Sequence, residues 1–315
     1  MLKIFFASDV HGCEVCFRKF LNAGKFYRVN IVMLGGDLTG KMVVPVAKQS
    51  EGSYVATFSG REWVVRTQSE IDTLTKLIQN SGYYPYITTE EEMRTLQSNK
   101  ENVKTLFSEL MASTMQRWIQ FAEDRLRDAN IRCFITPGND DQFVIDQVIN
   151  ESDFVVNPEG QVVNLDEGLE MISTGFTNPT PWNTPRELPE EELEEKIETM
   201  IAQVKNMNSC IFNLHCPPIG TIIDQAPKLD ETMKIVRKSG HVVMIDAGSQ
   251  AVRNTIEKHQ PLLGLHGHIH EGKGIAQIGR TICLNPGSEY GEGILRGVIV
   301  ALDKAKIKSH LFTSG

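Results

Sequence analysis

Three absences narrow the field before any motif is read. No apolar run comes near the roughly 18–20 residues that cross a bilayer as a helix, so no membrane-spanning helix is expected. Basic residues are not in excess: 32 Lys and Arg stand against 40 Asp and Glu, a formal net charge of -8. That balance argues against a general binder of nucleic acid or anionic membrane, since either needs a basic face. Cysteine is sparse, with 6 residues spread over 315, which is not the density of a disulfide scaffold. Cys13 and Cys16 form a Cys-x-x-Cys, but a four-thiolate zinc site needs a second close pair and none exists, so both read as thiols on the first helix. There is no internal repeat, no low-complexity tract and no Gly-x-Ser-x-Gly nucleophile elbow. The stretch before the first motif is too short for a signal peptide, which makes a soluble, cytoplasmic protein the expectation.

What is present is a fixed order of metal-binding side chains. Asp9 and His11 stand in Ser-Asp-Val-His-Gly, Asp37 in Gly-Gly-Asp, and Asn139 in Gly-Asn-Asp. His215 follows in Asn-Leu-His-Cys-Pro-Pro, then His268 and His270 in Gly-His-Ile-His. Each motif ends an apolar run rich in β-branched residues: Leu2 to Ala7, Ile31 to Leu34, Ile131 to Ile135, Cys210 to Leu214 and Leu262 to Leu265. Short runs of that kind, bounded by Gly or Pro, read as buried strands. Ligands of open α/β sheets collect outside the carboxyl ends of the strands. Five distant segments therefore deliver carboxylate, carboxamide and imidazole groups to one rim.

Around those strands the chain reads as α/β, either one large domain or two small ones. A first helix is expected from about Cys13 to Ala23, ended by Gly24. Between Asp37 and Asn139 lie roughly 100 residues, more than a strand-to-helix connection needs. Ser53 to Arg66 alternates about Ser59-Gly60 as a hairpin does. Glu70 to Gln79 and Glu90 to Ala129 carry helical spacing, with Val103, Leu106, Phe107, Leu110, Met111, Met115, Trp118, Ile119 and Leu126 on one stripe. Tyr83 to Tyr86 reads as a turn-like spacer. A mostly helical insert at about 41–129 is thus expected within a single domain spanning 1–315, and it offers a surface for oligomerisation. Further on, a Pro-rich loop from Thr177 to Pro185 precedes an acidic helix; the loop either packs, burying Trp182, or lines the site. Leu229 to Lys238 and Ser249 to Gln260 read as helices flanking a strand at His241 to Ile245.

The chemistry follows from the donor set. Mixed carboxylate oxygens and imidazole nitrogens suit Mn, Fe, Zn or Ni better than the all-oxygen cages of Ca or Mg. A carboxylate can bridge two ions, and an ion pair about 3.5–4 Å apart can present hydroxide to phosphorus near neutral pH. An acidic protein can take a phosphate ester in this way, because the ions bring the positive charge.

In motif and order the chain resembles the calcineurin-like metallophosphoesterases, which carry Asp-x-His, Gly-Asp, Gly-Asn-His-Asp/Glu, a lone His and Gly-His-x-His. The resemblance runs from Asp9 to about Ser288 and leaves out most of the insert. From Gly248 through Gln260-Pro261 to Asn285-Pro286-Gly287-Ser288 the chain looks most like the Icc-related branch of predicted phosphoesterases. The resemblance implies a two-sheet α/β/β/α sandwich. It also implies two divalent metal ions, the first held by Asp9, His11, Asp37 and His270, the second by Asp37, Asn139, His215 and His268. The implied activity is metal-dependent hydrolysis of a small phosphodiester or activated phosphomonoester; a binding scaffold without activity and a nuclease are its rivals.

One departure stands out. Where the family carries His in Gly-Asn-His, this chain has Asp140, followed by Asp141. The family's His assists the transition state and protonates the leaving oxygen. Asp140 is therefore the candidate catalytic residue by position, although an ionised carboxylate is a poor acid. The alternative role for Asp140 is a loop residue that accepts from backbone.

Overall fold

The computed structural model describes residues 1–303 and 305–315. The chain opens with β1 (Leu2–Ala7), α1 (Glu14–Phe26) and β2 (Ile31–Gly35). Then come β3 (Val43–Lys48), β4 (Tyr54–Phe58), β5 (Arg61–Val65), α2 (Gln68–Asn80), β6 (Tyr84–Thr89), α3 (Glu90–Gln97) and α4 (Lys100–Leu126). It continues through β7 (Arg132–Thr136), α5 (Val144–Asn150), β8 (Val155–Val156), β9 (Val162–Asp166), β10 (Leu169–Thr174), α6 (Glu190–Ile201) and β11 (Cys210–Leu214). The last part holds β12 (Gln225–Pro227), β13 (Arg237–Lys238), β14 (His241–Val242), β15 (Met244–Asp246), α7 (Gln250–His259) and β16 (Leu263–Leu265). It ends in β17 (Gly274–Ile278), β18 (Thr281–Asn285), β19 (Arg296–Leu302) and β20 (Ile307–Ser314).

Two six-stranded sheets form the body, ordered β20-β19-β1-β2-β7-β8 and β17-β18-β16-β11-β10-β9. Side chains alternate across a strand, and the burial follows that rule. In β1 and β2, Ile4, Phe6, Ile31 and Met33 face the second sheet, where they meet Met171, Ile211, Leu263, Leu265 and Leu284. Their neighbours Phe5, Ala7, Val32 and Leu34 face the other way, onto Phe17 and Phe20 of α1 and Trp118 and Leu126 of α4. On the far side of the second sheet, Phe212 and Leu214 pack against Leu193 and Ile197 of α6 and Val252 and Ile256 of α7. The order of layers is helix, sheet, sheet, helix, as expected. β1, β2 and β7 run parallel, and so do β10, β11, β16 and β18. Among the described residues no helix is long and apolar enough to cross a membrane.

The helix α1 does not stop at Gly24. It runs on to Phe26, because Gly24 serves close packing: a Cβ there would stand 3.1 Å from Leu126 Cδ2 and 3.3 Å from Ile131 Cδ1. The hairpin expected at Ser53 to Arg66 forms as β4 and β5 about Ser59-Gly60, and the helix expected at Glu70 to Gln79 forms as α2. Beyond that expectation, the hairpin joins β3 and β6 in a four-stranded sheet, ordered β5-β4-β3-β6, with its own small core of Val44, Val46, Phe58, Ile71, Leu74 and Ile78. Tyr83 to Tyr86 is no spacer; Tyr84 begins β6, which pairs in parallel with β3. Partner-dependent pairing, invisible in the local pattern, decides that strand. The long helical segment is two helices, separated where the Asn99 side chain accepts from Glu101 N and starts α4 afresh. Its stripe is buried from Met111 to Leu126, while Val103 remains exposed in the first turn.

No helix forms at Leu229 to Lys238. The Asp230 carboxylate accepts from Thr232 N, Lys234 N and the Thr232 hydroxyl, an arrangement that competes with helix formation. The segment instead belongs to an exposed arm of two short strand pairs, β12 with β15 and β13 with β14. The strand expected at His241 to Ile245 is broken between those two pairs.

The Pro-rich loop is anchored from its far end. Arg186 is 1% exposed, lies over the Phe143 ring, donates to Asp141 O and Gln142 O, and pairs with the Asp146 carboxylate. Trp182, at the loop's tip, is 63% exposed rather than buried. Removing one member of a buried ion pair strands the other and costs about 3–5 kcal/mol. Arg186→Ala is therefore expected to lower the unfolding free energy by that order in urea titrations. Lys104→Ala, in an exposed pair with Glu101, should change it by less than about 0.5 kcal/mol; equal effects would contradict the anchoring role.

Candidate metal centre

The parallel strands point their carboxyl ends at one rim, and each of the five ligand motifs begins where a strand ends. Asp9 and His11 follow β1, Asp37 follows β2, Asn139 follows β7, His215 follows β11, and His268 and His270 follow β16. The chain must turn sharply there to aim side chains inward. Asp9, His11, Asp37 and His268 all hold left-handed backbone conformations, with φ of 56°, 40°, 50° and 65°. Such conformations are costly for residues with a Cβ and gather at functional sites. Gly36 has φ of 127°, and a Cβ on it would lie 2.2 Å from His215 Nδ1, so only glycine leaves that imidazole its place.

The side chains form two overlapping groups. In one, His11 Nε2 lies 3.1 Å from His270 Nε2 and 3.5 Å from Asp37 Oδ2, and His270 Nε2 lies 3.6 Å from Asp9 Oδ1. In the other, His215 Nε2 is 3.5 Å from Asp37 Oδ1, and His268 Nδ1 is 2.8 Å from Asn139 Oδ1. The two carboxylate oxygens of Asp37 thus face different groups. Triads Asp9–His11–His270 and Asp37–His215–His268 each bring ligand atoms within 4.8 Å of one another. The fold brings Asp9, His11, Asp37, Asn139, His215, His268 and His270 together in one place. The fit to cations shows in an unpaired atom: His215 Nε2 is buried with no hydrogen-bond partner among the described residues, and the other ring nitrogen donates to Gly35 O at 2.9 Å. A carbonyl that takes one ring nitrogen in this way fixes which nitrogen is free to ligate.

Charge states follow from burial. Burial outweighs its carboxylate neighbours at His11, leaving its pKa near 3, and burial likewise leaves His268 near 4, so both rings are neutral acceptors at physiological pH. At His215 burial also acts downward, but Asp37 and Asp9 overcome it and raise the pKa to about 9. Burial pushes Asp9 up, yet the His270 contact and the His215 charge leave it at about 2. Asp37 stays well below its ordinary value for the same reason, through His215 and His11.

Asp140 lies beside the first group, its Oδ2 3.6 Å from His11 Nδ1, and His11, Asp37 and Asp140 make a third close set. Burial first, then the Asp37 charge, raises its pKa to about 6. The backbone-accepting role belongs to the next residue: the Asp141 carboxylate takes Leu38 N, Thr39 N, the Thr39 hydroxyl and Gly138 N. It ties the β2 turn to the β7 turn.

Several contributors carry no motif and were not legible in the sequence. Thr184 accepts from Asn139 Nδ2 at 3.0 Å and so turns Oδ1 toward the ligand cluster, which puts the Pro-rich loop against the site. Tyr290 lies 4.6 Å from the His11 ring and 5.8 Å from the His270 ring, centroid to centroid. Lys41 reaches Asp140 at 3.1 Å. His266, fully buried, donates through Nδ1 toward Leu214 O and Cys216 O on either side of His215.

No family model matches the chain. An uncharacterized protein of Methanocaldococcus jannaschii is 33% identical over 153 residues, which is 48% of this chain and 61% of that protein's length. Among solved structures, one superposes with a TM-score of 0.58 at 17% identity over 97% of each chain. TT1561 of Thermus thermophilus superposes with a TM-score of 0.55 at 14% identity, over 100% of this chain and 98% of that one. At such identities the likeness is one of architecture. With its two-sheet sandwich flanked by helices, the chain shares the architecture of these two solved structures.

Proposed function

We propose that the chain is a metal-dependent phosphoesterase that hydrolyses a small phosphodiester or an activated phosphomonoester at a dinuclear centre. The observation that carries this reading is the pair of buried ligand groups sharing Asp37 on left-handed backbone turns. Asp9, His11, Asp37 and His270 would hold one ion, and Asp37, Asn139, His215 and His268 the other. When bound, such ions lower the pKa of a water and neutralise phosphoryl oxygens. The chain's own residues do the rest. Gly35 O and Thr184 orient His215 and Asn139; Asp141 holds the two turns that carry Asp37 and Asn139 together; Tyr290 walls the ligands His11 and His270. The net charge of -8 weighs against the nuclease reading, and the complete ligand set against an inactive scaffold.

Turnover of bis(p-nitrophenyl) phosphate is expected with Mn²⁺ or Ni²⁺ and should vanish on chelation. Asp37→Asn, which removes the shared carboxylate charge, should lower kcat/KM by about 10²-fold or more. Metal-independent turnover, or full activity in Asp37→Asn, would contradict the reading.

With Asp140 in place of the family's His, no imidazole stands ready to protonate the leaving oxygen. General acid catalysis typically contributes about 10²–10⁴-fold. Nitrophenyl esters should therefore outpace alkyl esters by at least about that range in kcat. Rates that do not vary with leaving-group pKa would show that another acid operates.

A further inference from the structure

The mouth of the ligand cluster holds a cation that no motif announces. Lys41 is the first residue of the insert, and its Nζ lies 3.1 Å from Asp140 Oδ2. That same oxygen stands 3.6 Å from His11 Nδ1, and His11 Nε2 stands 3.5 Å from Asp37 Oδ2. The ammonium is thus three contacts from the shared carboxylate. Its side chain is 49% exposed, whereas those of His11 and Asp37 are 1% and 4% exposed, so it stands at the opening and not in the floor.

Its base is fixed. Gly40 N donates to the Tyr84 hydroxyl at 2.8 Å, and a Cβ on Gly40 would come within 2.4 Å of Gly82 O. Gly12 N, one residue past His11, donates to Leu38 O at 2.8 Å. The turn that carries Lys41 is therefore clamped between the ligand loop after β1 and the insert. Burial pulls Lys41 down, but Asp140, Tyr290 and Asp37 outweigh it and keep the ammonium above its ordinary value. An ammonium has three donors. The contact with Asp140 takes one and leaves the others for a ligand at the opening.

We infer that Lys41 grips the phosphoryl group of the substrate, donating to a non-bridging oxygen, and that Asp140 acts through it as a positioning residue. The place filled in the family pattern by one His is filled here by a pair, an acidic residue on the β7 turn and a lysine brought by the insert. This inference rests on the phosphoesterase reading and names the residue that holds the phosphoryl oxygens. Asp140 then needs no proton to give. It holds the ammonium over the site, just as its neighbour Asp141 holds the backbone beneath it.

The test uses inorganic phosphate as probe, titrated by calorimetry into full-length protein loaded with Mn²⁺, with bound metal measured in parallel. Lys41→Met should weaken phosphate binding about tenfold or more and raise KM for bis(p-nitrophenyl) phosphate, with metal content unchanged. Lys41→Arg should retain phosphate affinity within about threefold, since charge and reach persist. Asp140→Asn should weaken phosphate in the wild-type background and add nothing in Lys41→Met, because coupled residues are not additive. Unchanged phosphate affinity in Lys41→Met, with wild-type turnover intact, overturns this inference alone. So does full additivity of the two substitutions, or loss of metal together with phosphate. If the wild-type protein holds metal yet neither binds phosphate nor hydrolyses any ester, the phosphoesterase reading fails and this inference with it.

Discussion

The structure depends on burying two carboxylates side by side. Asp9 and Asp37 are 1% and 3% exposed at the ends of neighbouring parallel strands, and His215 Nε2 approaches both, at 3.8 and 3.5 Å. Uncompensated, such a pair would cost several kcal/mol per ion through lost hydration. The imidazoles answer only part of that charge, since His11 and His268 are held neutral while Asp37 and Asp9 raise the pKa of His215, and Asp9 that of His270, against burial. Neutral nitrogens around paired carboxylates are what divalent cations require. The left-handed turns at Asp9, His11, Asp37 and His268 make sense in the same terms: backbone strain is tolerated where ligand aim demands it.

Legibility in the sequence followed locality. The strands β1, β2, β7, β11 and β16 announce themselves because each is a short apolar run that ends in a ligand motif, and the rim follows from their being parallel. α2 and α4 were readable from spacing, and α6 as an acidic helix after the Pro-rich loop. What escaped was decided by distant partners. Tyr84 starts a strand only because Val43 lies beside it, and Gly24 reads as a stop until Leu126 and Ile131 are packed against it. One miss was local: the Asp230 carboxylate turns an apparent helix into a tight knot of hydrogen bonds with Thr232 and Lys234.

The site shows the same division. All seven candidate ligands are legible as motifs, whereas the residues that aim them are not. Thr184 lies in a loop whose path is set by the buried Arg186, and no pattern in Thr177 to Pro185 states which residue will meet Asn139. Asp140 and Asp141 are adjacent and chemically alike, yet one faces a ligand and a lysine while the other is wholly spent on backbone donors and the Thr39 hydroxyl. Only the turn geometry after β7 separates them. The insert contributes in kind: its sheet packs on its own core, but its first residue, Lys41, pairs with Asp140 beside the candidate ligands.

The central claim is that these strand ends form a dinuclear centre joined through Asp37. Anomalous diffraction from crystals grown with Mn²⁺ tests it most directly. Two peaks about 3.5–4 Å apart are predicted, one among Asp9, His11 and His270, the other among Asn139, His215 and His268, with one Asp37 oxygen toward each or shared between them. A single peak, or manganese bound away from these side chains, would contradict the account.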